Sequence, residues 1–236
     1  MSFSQGGKPA KKVKQAQRRQ PYLMRRAERK RKYYGLAPIT PRSDVINVYN
    51  PLYYLVPGTA RDQRIGNRIT GTYLHYSLSV APKALNALGD GIDQGVSFRI
   101  VVFTHTKEWQ SGAEGAWALT TGGVGTSPSI AEILKDTGGD RYVQSYLNID
   151  EIKVLHDRYV ELPRPELGNA ATEDTGPLRL VKGSCRLGDF KFQDGTNAFG
   201  RDRNVYVAVM ASGAAGLTLV EACRVAANFL VTFDDA

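Results

Sequence analysis

Cysteine and histidine are scarce in this chain. It holds two cysteines, Cys185 and Cys223, and three histidines, His75, His105 and His156. Two cysteines cannot build a disulfide scaffold or a cysteine-only zinc site, although they could pair. No histidine falls in a metal-ligand spacing, so no metal and no cofactor are expected. Long apolar runs are missing too: nothing approaches the roughly 18 residues of a membrane helix, and no membrane contact is expected. The opening MSFSQGGKPAKK is basic but precedes no apolar stretch, so it is not expected to act as a secretory leader.

Signatures of catalysis are also absent. TTGGVGTSPS (120–129) has no lysine to complete a phosphate loop, and it matches neither GxGxxG nor GxSxG. It reads as a flexible surface loop. His156-Asp157-Arg158 sits in a strand-like segment, with His156 and Arg158 on one face and Asp157 on the other. Nothing local supplies a nucleophile. The acidic pairs, such as Asp150-Glu151 and Asp234-Asp235, read as solvated strand ends. The chain is not expected to be an enzyme.

Acidic residues are nearly missing from the first 33 positions, and this absence is informative. Lys8, Lys11, Lys12, Lys14, Arg18, Arg19, Arg25, Arg26, Arg29, Lys30, Arg31 and Lys32 stand there against Glu28 alone, a net +11. The other 19 basic and 22 acidic residues give −3, which completes the chain's +8. A mildly acidic body thus carries one strongly basic tail. Such a tail repels itself and buries no core, so it should stay disordered until a polyanion neutralises it. Its charges would bind phosphates with little sequence preference, and Tyr22, Tyr33 and Tyr34 could stack on unpaired bases. RRAERKRK (25–32) also fits a nuclear import signal, which would make a host import receptor a partner. Between Pro21 and Gly35 the tract could become helical against a polyanion.

Three zones follow: a basic arm over 1–34, an extended Pro-, Asn- and Tyr-rich linker over 35–65, and a body over 66–236. In the body, Leu74, Tyr76, Leu78 and Val80 alternate with Tyr73, His75, Ser77 and Ser79, a strand with one buried face. Segment 96–106 is apolar almost throughout, which suits a strand covered on both sides. Segment 151–162 is expected to place Ile152, Val154, Val160 and Leu162 on one face. Segment 177–192 reads as one or two strands, with Gly183 or Gly188 at a bulge or turn. Val205, Val207 and Val209 align in 204–212, and Ala227, Phe229, Val231 and Phe233 align in 224–236. Only 128–137 looks helical, with Ser127 or Ser129 as its cap. Many strands and little helix indicate an all-β antiparallel sandwich or barrel. The long Gly-, Ser- and Thr-rich loop over 107–127 is of a kind that is usually functional or mobile.

Several segments resemble capsid proteins of small circular single-stranded DNA viruses, the group that encodes its own replication initiator. RIGNRITGTYLHYSLSV (64–80) is similar to the first body strand of those proteins, with Arg64, Gly66 and Ile69 in its opening pattern. VSFRIVVFTHTKEWQ (96–110) resembles the next strand. Asn148, Val154, Leu155, Asp157 and Leu162 resemble a further family segment, and 204–213 and 228–235 resemble the last two strands.

The resemblance implies an eight-stranded antiparallel jelly-roll sandwich of two four-stranded sheets, preceded by a disordered basic N-terminal arm. It implies a homo-oligomeric icosahedral shell of about 60 copies, found in the virion and assembled in the host nucleus. The arms would face inward on single-stranded DNA, with about 660 net positive charges to offset several hundred phosphates. Arg42, Arg64 and Arg68 are body residues placed to supply further interior contacts. Tyr53, Tyr54, Leu55, Trp109 and Trp117 would be exposed on a lone domain and are candidates for burial between subunits. A coat protein of a small single-stranded RNA virus or satellite would share these features. A ribosomal or chromatin-type binding protein should carry a basic folded body, and −3 argues against it. A jelly-roll enzyme would need a metal-ligating cluster that three scattered histidines do not supply.

Overall fold

Alternating burial organises the chain. A computed structural model describes residues 29–39, 45–53, 55–82, 96–107, 109, 116–120, 129–135, 142–162, 178–193, 200–212 and 223–235. The elements run β1 (Arg29–Ile39), β2 (Val45–Tyr49), β3 (Arg68–Pro82), β4 (Val96–His105), β5 (Ala116–Thr120), α1 (Ile130–Ile133), β6 (Lys153–Leu162), β7 (Arg179–Lys191), β8 (Asn204–Ser212) and β9 (Cys223–Asp235). Two antiparallel sheets result, in the orders β1-β9-β3-β7 and β5-β2-β8-β4-β6. With the five-residue β5 set aside, eight strands remain. The first, eighth, third and sixth form one sheet; the second, seventh, fourth and fifth form the other. That is the jelly-roll order, in which every strand crosses to the opposite sheet except the adjacent fourth and fifth. The expected eight-stranded jelly roll is therefore present, with β5 added at an edge beside β2.

The inner faces of the two sheets make the main core. Leu74, Tyr76, Leu78 and Val80 of β3 pack there with Ala227, Phe229, Val231 and Phe233 of β9, as their alternation predicts. They meet Phe98, Ile100 and Val102 of β4 and Val205, Val207 and Val209 of β8. The outer face of the five-stranded sheet has its own apolar cluster. Ile46, Val48, Val101, Phe103 and Tyr206 are covered there by Trp109, Ile130, Ile133, Tyr142 and Ile152, all from the connection between β4 and β6. Strand β4 is thus buried on both sides, which explains its nearly continuous apolar sequence. Arg99 fastens this cover: its guanidinium takes Asp157 bidentately at 2.9 and 2.7 Å and donates to the carbonyls of Val143 and Ser145. Helix α1 lies within the expected segment 128–137 but is shorter, because Leu134 turns extended and bridges Leu147. Ser129 is its cap, and the Ser129 N–H donates to Glu132 Oε2 at 3.0 Å.

Three expectations are corrected, and that for 177–192 is narrowed to one of its alternatives. Residues 29–34 belong to β1 rather than to an arm or a helix. Pairing with β9, and stacking of Tyr34 on Phe229 at a centroid distance of 5.3 Å, outweigh local helix preference. The linker contains β2, so the segment at 64–80 leads into the third strand, not the first. Ile152 and Val154 face the outer cluster, whereas Val160 and Leu162 face the inner core. A register shift opposite Val102 and Phe103 leaves Leu155 unpaired in the ladder, and this bulge flips the face of β6. Segment 177–192 is one strand, bent where Gly188 adopts φ +84°. Cys185 and Cys223 are both free and buried.

Candidate nucleic-acid interface

The tract Arg29-Lys30-Arg31-Lys32 enters the sandwich as a strand, and a strand sends successive side chains to opposite faces. Arg29 and Arg31 are exposed on the outer face of the four-stranded sheet. Lys30 and Lys32 turn beneath it. Lys30 is 3 % exposed; its Nζ lies 2.7 Å from Asp235 Oδ2 and donates to the Gln63 carbonyl at 2.7 Å. Lys32 Nζ lies 2.6 Å from Asp62 Oδ2. The hydrogen bond and charge of Lys32 hold the Asp62 carboxyl below its ordinary range. Two of the tract's four charges therefore hold the fold, and two remain available to a ligand.

Strand register sets out the rest of that face in rows. Arg31, Thr232, Tyr73 and Arg186 form one row across β1, β9, β3 and β7. Tyr33, Leu230, His75 and Ser184 form the next, and Gly35, Asn228, Ser77 and Lys182 the third. None of these twelve residues is acidic. Tyr33 is 64 % exposed. The Arg29 guanidinium lies 5.8 Å from the centroid of the Tyr73 ring, and Tyr73 stacks on His75 at 6.5 Å. Arg224 is exposed further along β9. Of the carboxylates at the Arg29 end of the face, Asp234 stands directly opposite Arg29 in the β1–β9 ladder and Asp189 faces Arg68 at 3.7 Å. The result is a basic surface interleaved with aromatic rings, on the sheet opposite the one that the described residues of the β4–β6 connection cover.

The structure redistributes the other residues singled out by sequence. Arg64 is not an interior contact. It is 0 % exposed, donates to the Leu55 and Gly66 carbonyls and to Asn67 Oδ1, and lies 4.2 Å over the Phe192 ring. Burial lowers its basicity, against the attraction of Asp235. Arg68 is exposed. Leu55 and Trp109 are not available between subunits: at 1 % and 0 % exposure, both are packed inside one chain. Trp109 stacks on Tyr206 at 4.3 Å and belongs to the outer cover of the five-stranded sheet. Tyr53 is half-buried. Trp117 is in β5, opposite Val48, and its side chain lies outside the described residues. Lys8, Lys11, Lys12, Lys14, Arg18, Arg19, Tyr22, Arg25, Arg26, Arg42 and Tyr54 also lie outside them.

Sequence reasoning missed Tyr73, His75, Lys182, Arg186 and Arg224 as members of this surface. Their signal is the polar half of each alternation in β3, β7 and β9. Which strands lie side by side is what unites them. Among the described residues, no group of three or more histidine, cysteine or acidic side chains is placed to hold a metal ion, and no helix is long and apolar enough to cross a membrane.

No family model matches the chain, and no curated protein matches it. Solved structures do. One, from Desmodium yellow mottle tymovirus, is 7 % identical, covers 89 % of this chain and 87 % of its own, and superposes with a TM-score of 0.35.

Proposed function

We propose that this chain is a viral capsid subunit that assembles with copies of itself into a small icosahedral shell and packages single-stranded DNA, with no catalytic role. The reading rests on one observation. The basic segment of the sequence runs directly into the first strand of a jelly roll, and its last arginines, Arg29 and Arg31, emerge on that domain's open basic face. Arg29 and Arg31 would then join the charges of the tail to the sheet face in binding a polyanion, on a body whose charges outside the tail sum to slightly negative. A basic face on one side of the subunit would suit a shell with an inside and an outside. The sequence resemblance supports the DNA genome, the about 60 copies of a simple closed shell and nuclear assembly. Since Lys30 and Lys32 are held by Asp235 and Asp62, the import receptor would read Arg25, Arg26, Arg29 and Arg31 of the 25–32 tract before packaging.

The test is assembly of the full chain. Protein purified at high salt and then dialysed should form uniform small spheres by electron microscopy, and their contents should be sensitive to deoxyribonuclease. Ribonuclease-sensitive contents would move the reading to an RNA virus. Monomers at every salt concentration would overturn it. Replacing Arg25, Arg26, Arg29 and Arg31 with Gln should lower the 260/280 nm ratio of the particles. With roughly 6–10 phosphates engaged, a fourfold rise in salt should weaken single-strand binding by about 10³-fold or more.

A further inference from the structure

The open face of the four-stranded sheet is not uniform. Between its first and third rows lies a cleft of about 480 Å³, lined chiefly by Tyr33, His75, Lys182, Ser184, Asn228 and Leu230. Small residues make the depression: Gly35 and Ser77 stand in the third row and Ser184 at the end of the second. The volume falls within the roughly 300–1,000 Å³ of small-molecule sites.

The walls match a planar aromatic ligand. Tyr33 and His75 share a row but are two strands apart, with β9 between them. At about 4.8 Å per strand, their backbones stand roughly 10 Å apart. A flat ring held between two others needs about 7–8 Å, twice the 3.5–4.0 Å contact distance. Leu230 lies between them as an apolar floor. The exposed amide of Asn228 sits one row away, over Gly35, where a Cβ would meet its Oδ1 at 3.0 Å. That amide offers both a donor and an acceptor to a ring edge. The surroundings match a polyanion: Arg31 and Arg186 bound the cleft on one side and Lys182 on the other, and its rows hold no carboxylate.

We infer that this cleft is a subsite for one unpaired nucleobase, stacked between Tyr33 and His75 while Arg31, Arg186 and Lys182 hold the adjoining phosphates. The inference rests on the proposed nucleic-acid-binding role and deepens it. The tail binds any polyanion, whereas the cleft selects unpaired strands, because a duplex keeps its bases inside its stack. Base–aromatic stacking is tolerant of sequence, so the cleft accepts any base. DNA and RNA share this chemistry.

The test compares labelled dT20, rU20, a DNA duplex and a heparin fragment on the full chain, as wild type, Tyr33→Ala, His75→Ala and the double variant. The double variant should lose about 10-fold or more in affinity for both dT20 and rU20 and keep its affinity for duplex and heparin. Tyr33→Phe should bind dT20 as the wild type does. Tyr33 is exposed, so Tyr33→Ala should not disturb folding, and circular dichroism checks this for each variant. A crosslinkable 5-iododeoxyuridine strand should couple to Tyr33 or His75. Equal losses on all four ligands, or no loss on any, would overturn the cleft while leaving the tail's role intact. Absence of all binding in the wild type would instead overturn the underlying nucleic-acid reading.

Discussion

The Tyr76 hydroxyl lies 2.8 Å from Nε2 of His156, and the two residues belong to opposite sheets of the sandwich. Gly183 makes room for the contact. It stands opposite Tyr76 in β7, and a Cβ there would come within 2.2 Å of the tyrosine oxygen. Nearby, Arg158 of β6 donates to the Lys182 carbonyl of β7. The edge of the sandwich where β6 faces β7 is thus joined by polar links as well as by packing. Tyr76→Phe should cost about 1 kcal/mol, the worth of an ordinary buried hydrogen bond. Gly183→Ala should cost about 1–3 kcal/mol, because a rigid ring must leave its place. Urea midpoints measure both, and an unchanged midpoint for Gly183→Ala would refute the packing described.

Neighbouring residues of β1 should give opposite phenotypes. Lys30→Ala strands Asp235 beside the buried Arg64 network and should destabilise the domain by about 3 kcal/mol. Arg31→Ala removes an exposed side chain and should change stability by less than about 0.5 kcal/mol, while weakening single-strand affinity. Denaturant melts together with filter binding separate the two effects. If both variants lose only affinity, the division of this strand into buried and exposed charges is wrong.

Truncation should locate the start of the folded unit. A chain beginning at residue 29 keeps all of β1 and should retain the cooperative unfolding of the full chain. A chain beginning at residue 35 loses Lys30, Lys32 and Tyr34 with their contacts to Asp235, Asp62 and Phe229. It also leaves most of the β9 edge unpaired, a template for aggregation. We expect a lower melting temperature and concentration-dependent light scattering. Equal behaviour of the two truncations would show that β1 is dispensable.

Acid should weaken the outer face of the five-stranded sheet through His105. The ring is buried against Trp109, its Nδ1 accepts from the Lys107 N–H at 2.8 Å, and Glu151 stands 3.9 Å from Nε2. Burial pushes its pKa down, assisted by Lys107 and opposed by Glu132 and Glu151. The folded state therefore holds fewer protons than the unfolded chain once pH falls below the ordinary histidine value of about 6.5. This contribution to stability is full above about pH 6.5 and is lost as pH falls from there toward the depressed folded value. His105→Gln should flatten the fall in unfolding free energy between pH 6.5 and 5. The same slope in both proteins would exclude His105 as its source.

Both thiols should be silent in the native protein. Burial raises Cys185 to about 11 and Cys223 to about 12, so almost no thiolate exists near neutrality. A colorimetric disulfide reagent at pH 8 should report no reaction until denaturant is added, and then two thiols per chain. Rapid reaction of the native protein would contradict the burial of both residues.

Much of this molecule is written locally. Period-two alternation in 73–80 and 224–235 marks strands because one face of that sheet meets the core, and the inward positions are buried; in 204–211 both faces are buried, the second under the outer cluster. Charge segregation is likewise visible without coordinates: the first 33 residues cannot pair their charges among themselves, whatever the fold. Composition says nothing about which alternating strands lie side by side. That depends on long-range pairing, and it turned Lys30 inward to Asp235 while leaving Arg31 outside. Pairing likewise split Val154 from Val160 with one unpaired residue. A large apolar side chain in a loop reads as exposed when the sequence is taken alone. Trp109 is buried because its own connection folds back over an apolar sheet face, a surface that exists only once β2, β8 and β4 are joined. The cleft between Tyr33 and His75 has the same origin. The two residues are 42 positions apart, and only the insertion of β9 between their strands sets them at opposite walls of one site.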